Sequence, residues 1–189
     1  MLTTTIILNP EMVSIMKRGV IDASSAILLF KAGLFEDLIG AYQIVLAKSV
    51  YLEVSRSGYP GARSFGRYCV NRRYEVCSVD RLKKIPPDHA ATLCALGNGE
   101  KDTIMLFLNG DGDFIIIDDG RGAGFCRDHR IPYINSLLVA RILLLSRIIS
   151  ATVFHEKIEM LTRLGRYSQK IIDYAVTCPS QEMTLFMPE

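Results

Sequence analysis

Phe114-Ile115-Ile116-Ile117-Asp118-Asp119-Gly120-Arg121-Gly122-Ala123-Gly124 carries most of what this chain says about its architecture. Four β-prone apolar residues in a row, with little alternation, suit a strand covered on both faces, as in a parallel sheet. Two carboxylates end the run, and a short helix is expected over residues 123–130. The same order recurs on either side. Gly19-Val20-Ile21 reads as a strand end and is followed by Asp22. Ser24 and Ser25 then stand where they could cap a helix bearing Ile27, Leu28 and Phe30. Ile44-Val45-Leu46 is a second strand, residues 74–79 a third and residues 131–134 a last one. Residues 88–96 and 100–109 read as helices separated by Gly97-Asn98-Gly99, the second apolar almost all round and so expected to be buried. Residues 48–56 fit helix or strand equally, and residues 136–176 are helical. Strands separated by helices predict an open parallel α/β sheet.

Composition narrows the class. The chain has 189 residues, 49% hydrophobic and 22% charged, with a net charge of +2. One ordinary domain is expected, and a disordered chain is excluded. Binding of nucleic acid by bulk charge is excluded too, so any basic surface must be local. Cys69, Cys77, Cys94, Cys126 and Cys178 form no C-x-x-C pair, and His89, His129 and His155 are scattered, which argues against zinc. Reduced, mostly buried thiols in a cytoplasmic protein are expected. The apolar stretch 137–154 is interrupted by Arg141 and Arg147, too early for a membrane span. It reads as a buried helix running into a turn, with the arginines at its margins. No basic segment precedes the apolar N-terminal residues, so secretion is not expected.

The chemistry lies in the acids. Asp22 ends one apolar run, Asp118 and Asp119 another, Glu53 follows the second strand, and Glu100 and Asp102 open the helix after Gly99. In open α/β sheets, ligands bind outside the carboxyl ends of the strands, so these carboxylates converge on one crevice. Taken singly, each has an ordinary reading as a cap, a turn residue or a partner of a helix dipole. Together they would repel one another unless a hard cation neutralised them, and an all-carboxylate set suits Mg²⁺ or Mn²⁺. A pair of such ions could activate water and stabilise the leaving oxygen in phosphodiester cleavage. Glu100 and Asp102 are about 200° apart on a helix, so within one they cannot share a face.

Charge is also segregated. Residues 55–84 hold eight basic side chains against two acids, and residues 88–120 hold seven acids against Lys101. An acidic well beside a basic strip suits a polyanionic substrate, though the strip could equally be a solvated face. Arg56 heads that strip, Tyr59, Phe65 and Tyr68 interleave with its arginines and could stack on bases, and Arg121 could hold a phosphate beside the metals. Ser24 could orient a metal-bound water or a phosphate, or simply cap. Other signals are set aside. Gly120 to Gly124 reads G-x-G-x-G, short of the dinucleotide G-x-G-x-x-G. Asp111-Gly112-Asp113 is most simply a turn. Asp22-Ala23-Ser24 lacks the second Asp of an aspartyl-phosphate hydrolase, and no Gly-x-Ser-x-Gly elbow occurs.

Residues 21–27, 50–54, 99–104 and 117–121, in that order and spacing, resemble the PIN-domain nucleases. The resemblance covers roughly residues 19–149. The helical tail, with Arg166-Tyr167-Ser168 and Ile171-Ile172, resembles that of a PIN subgroup related to VapC-type toxins. It implies a three-layer α/β/α sandwich with a mostly parallel sheet, and Mg²⁺- or Mn²⁺-dependent cleavage of RNA. It implies that Asp22, Glu53, Asp119 and either Glu100 or Asp102 are the acidic site residues, that Asp118 is an added carboxylate, and that Ser24 is the hydroxyl near the first Asp. Residues 1–18 are then an N-terminal extension, 19–150 the nuclease domain and 151–189 a helical tail on or beside it. An antitoxin-like protein and a second copy of the chain are the expected partners beside RNA, with no membrane. Two rival readings are a catalytically inactive PIN-fold module that binds RNA or protein, and an enzyme acting on other phosphate esters, DNA included.

Overall fold

The computed structural model describes residues 16–79 and 92–188. The expected N-terminal extension lies outside them up to residue 15, as do Arg81, Lys83, Lys84 and the start of the helix expected over 88–96. Five strands, β1 (Arg18–Ile21), β2 (Gln43–Ala47), β3 (Glu75–Cys77), β4 (Phe114–Ile116) and β5 (Tyr133–Ile134), form one sheet in the order β3-β2-β1-β4-β5. Every pairing is parallel, with Val20 opposite Val45 on one side and Ile115 on the other. Helices α1 (Ala23–Lys31), α2 (Phe35–Ala41), α3 (Lys48–Val54), α4 (Ala62–Val70), α5 (Asn98–Leu108) and α6 (Gly120–Asp128) connect the strands. After β5 come α7 (Ser136–Leu145), α8 (Ala151–Leu164), α9 (Gln169–Thr177) and α10 (Ser180–Met183). This is the expected three-layer α/β/α arrangement.

The chain builds outward from β1 through β2 to β3, then crosses back to lay β4 and β5 on the other side of β1. The order reverses between β1 and β4, and a crevice opens at the carboxyl ends of strands at such a reversal. The strands that flank it are wholly buried at Val20, Ile21, Phe114, Ile115 and Ile116. The larger core cluster joins β1 and β2 to α1, α2, α7 and α8 through Leu29, Leu38, Leu46, Leu143, Phe154 and Leu161. A smaller one, with Ile104, Ile115, Phe125 and Cys126, lies between α5, β4 and α6. At the opposite end of the sheet the 111–113 turn is tied down. Asp113 accepts from the Arg18 N–H at 2.8 Å, and Arg18 Nε donates to the Asp111 carbonyl at 3.1 Å. Gly112 is required there, because a Cβ would stand 2.5 Å from Val20 Cγ2.

Several expectations shift in detail. The cap of α1 is Asp22 rather than Ser24 or Ser25, and α6 begins three residues early because Asp119 caps it. Residues 48–54 are helical, with Val50 and Val54 buried one turn apart. The third strand shrinks to Glu75–Cys77 and the last to Tyr133–Ile134. Only one side of α5 is buried, at Thr103, Ile104 and Leu106. The apolar stretch 137–154 is α7, a turn and the start of α8. Arg141 donates to the Cys178 carbonyl at 2.9 Å, and Arg147 sits in the turn at φ 60°. Phe65 cannot stack on bases, because it is fully buried edge-on to Phe35 at 4.9 Å. Tyr68 donates to Glu36 at 2.7 Å, which leaves Tyr59 as the exposed ring of the three. All five cysteines are free thiols, but only Cys126 and Cys178 are buried. Among the described residues, no helix is long and apolar enough to cross a membrane.

Candidate active site

Local backbone chemistry explains where each acid sits. Asp22 leaves β1 in extended geometry and caps α1, accepting from the Ser25 N–H at 2.8 Å and the Ser24 hydroxyl at 2.6 Å. Asp119 does the same for α6, accepting from the Arg121 N–H at 2.8 Å and the Gly122 N–H at 3.2 Å. Glu100 is in the first turn of α5 and reaches back to the Gly97 N–H at 3.2 Å. Asp118 follows Ile117 and accepts from the Ser136 N–H at 3.2 Å, from the Ser136 hydroxyl at 2.5 Å and from the Tyr167 hydroxyl. Glu53 is exposed in the last turn of α3, its Oε2 3.7 Å from the position a Gly99 Cβ would take.

These five carboxylates line a single cleft of about 580 Å³ together with Ser24. It lies at the reversal of strand order, where β1 and β4 end. Asp102 is not in its lining. Its carboxylate accepts from the Ser49 hydroxyl at 2.5 Å and ties α5 to α3. Of the two acids 200° apart on the helix, Glu100 is the one that lines the cleft. Arg121 is absent from the lining too. It lies 3.9 Å from Glu100 and donates to the Ala95 carbonyl at 3.2 Å. Arg56 stands over the Tyr59 ring at 5.8 Å, away from the cleft lining.

The electrostatics follow from crowding. Asp22 is 2% exposed, and burial raises its carboxyl to about 7, helped by the charge of Asp118 and opposed by the Ser24 and Ser25 donors. Burial also raises Glu100, with the Gly97 N–H opposing and Asp119 adding to the rise. Arg121 opposes the rise at Glu100, whereas no cationic side chain acts on Asp22 in the same way. The donor set is all oxygen, which fits a hard divalent cation rather than zinc. Among the described residues, no three Asp, Glu, His or Cys side chains stand gathered as a finished ligand set. Asp22, Asp118, Asp119 and Glu100 are each held by a protein donor.

Sequence reasoning missed Ser136 and did not place the 165–167 turn in the cleft, which Gly165, Arg166 and Tyr167 line. Ser136 had a signal of its own kind, a polar residue just after the last strand, at the same end of the sheet as the acids. Tyr167 had none in spacing, because 49 residues separate it from the Asp118 it binds.

The DUF3368 family model, described as a PIN domain, matches residues 18–176. No curated protein and no solved structure matches the chain.

Proposed function

The chain belongs to the PIN-domain family, and from that membership we propose that it is a metal-dependent endoribonuclease. The observation that carries the reading is the convergence of carboxylates from β1, α3, α5 and the end of β4 in one cleft at the strand-order reversal. Asp22, Glu100 and Asp119 would hold the principal Mg²⁺ or Mn²⁺, with Glu53 assisting. Such a cation, when bound, supplies charge neutralisation at the phosphate and acidity for the attacking water.

The chain's own residues prepare the rest. The N-caps of α1 and α6 fix where Asp22 and Asp119 leave the backbone, both on the lining of the same cleft. Ser24 donates to Asp22 and orients its second oxygen. Glu53 lines the same cleft from α3 and is exposed to solvent. Cleavage of a panel of RNAs in Mg²⁺ or Mn²⁺ tests the reading. Asp22→Asn and Asp119→Asn are each expected to lower the rate by about 10²-fold or more. Undiminished cleavage in both variants would overturn it.

A second reading, a non-catalytic RNA-binding module, draws on the carboxylates being tied to protein donors rather than grouped as ligands. It predicts RNA retention without metal-dependent turnover, and the same assay separates the two.

A further inference from the structure

One wall of the cleft comes from the tail, where Gly165, Arg166 and Tyr167 form the turn between α8 and α9. The turn is built rather than loose. The Tyr167 hydroxyl donates to Asp118, whose other oxygen accepts from the buried Ser136 hydroxyl at 2.5 Å. The Tyr167 ring folds back over Gly165 so closely that a Cβ there would lie 2.3 Å from Cε2. The residue between them is Arg166, exposed and the one cationic side chain in the cleft lining among the described residues. Five carboxylates line the same cleft, yet among the described residues Arg166 has none within ion-pair distance. Arg121, by contrast, is drawn toward Glu100 and the Ala95 carbonyl.

We propose that Arg166 is a phosphate-binding residue of this cleft, taking a backbone phosphate of single-stranded RNA, and that Tyr167 is the positioning residue that holds it there through Asp118. The proposal rests on the nuclease reading for its substrate class. A guanidinium presents a planar fork that matches two phosphate oxygens. Its place in an otherwise acidic cleft is where a polyanion needs a cation besides the metal. Tyr167 touches no substrate in this account. It fixes the turn from which Arg166 reaches.

The test uses the full chain and a fluorescein-labelled single-stranded RNA of mixed sequence. Binding is read by anisotropy over a range of NaCl, with Ca²⁺ replacing Mg²⁺ and the RNA checked intact by gel. Arg166→Ala is expected to weaken binding about 5- to 10-fold and to reduce the log–log salt slope by about 0.7, one phosphate contact on a single strand. Arg166→Lys should restore the slope and most of the affinity. Tyr167→Phe keeps the ring over Gly165 and loses only the hydroxyl. It should raise KM with little change in kcat, an outcome a loss of folding would not give. Equal affinity and slope in wild type and Arg166→Ala would overturn the proposal. Cleavage by wild type with Arg166→Ala unchanged defeats this inference alone. Arg166-dependent binding without cleavage in Mg²⁺ or Mn²⁺ defeats the nuclease reading alone. A wild type that neither binds nor cuts RNA defeats both.

Discussion

Asp22 is the residue on which the site's pH behaviour depends. Its folded carboxyl, at about 7, lies above the ordinary 3.8, so the fold favours the protonated form. The stability this gives is fully present below about pH 4 and is lost as pH rises through 7, a change of roughly 4 kcal/mol. Asp22→Asn keeps a capping oxygen and removes the charge. In the metal-free protein it should therefore raise the melting temperature at pH 8 and change it little at pH 4, as differential scanning calorimetry would show. A divalent cation bound there would supply a counter-charge to Asp22, so its affinity for wild type should climb as pH rises toward 7. Calorimetry in buffers of different ionisation enthalpy would detect the proton released. Asp22, Glu53, Glu100 and Asp119 were legible in the sequence because strand ends and helix starts are local features. Ser136 and Tyr167 contribute through pairings with Asp118 across 18 and 49 residues, which no local pattern encodes.

Helices and turns decide which of the legible acids reach the cleft. In α5, Glu100 caps the helix and enters the lining, while Asp102 faces α3 and holds Ser49. Glu100→Gln should lower cleavage by about 10²-fold in the RNA assay. Asp102→Asn should act chiefly on stability, by about 1 kcal/mol in urea unfolding, since it weakens one side-chain hydrogen bond. The 111–113 turn holds the far end of the sheet. Gly112→Ala should destabilise by about 1–3 kcal/mol in the same urea experiment, because Val20 is fully buried and cannot yield. Sequence periodicity left residues 48–56 undecided, since so short a segment does not separate the periods. Packing of Val50 and Val54 one turn apart settles Lys48–Val54 as helix. The early start of α6 follows from Asp119 acting as its cap while also lining the cleft, a cap the G-x-G-x-G stretch concealed.

At the scale of the molecule, the sheet order does what no single element does. It sends β2 and β3 to one side of β1 and β4 and β5 to the other, and so brings Asp22 beside Asp118 and Asp119 although nearly a hundred residues separate them. The alternation of strand and helix made the parallel sheet readable, and the acid after each of two strands made the cleft readable. The contribution of the tail was not, because α7, α8 and α9 announce only that they are helical. Cation binding at the folded site alone should also raise the stability of the whole chain, by about 2.7 kcal/mol at a concentration a hundred times its Kd. Urea titrations with and without Mg²⁺ would record this, and Asp119→Asn should abolish most of the gain. The central claim is that one cation joins these distant carboxylates, and an anomalous difference map from a crystal soaked in Mn²⁺ tests it most directly. A peak about 2.2 Å from oxygens of both Asp22 and Asp119 is the expected result. A fully soaked crystal with no peak in the cleft, or with Mn²⁺ bound only elsewhere, would contradict it.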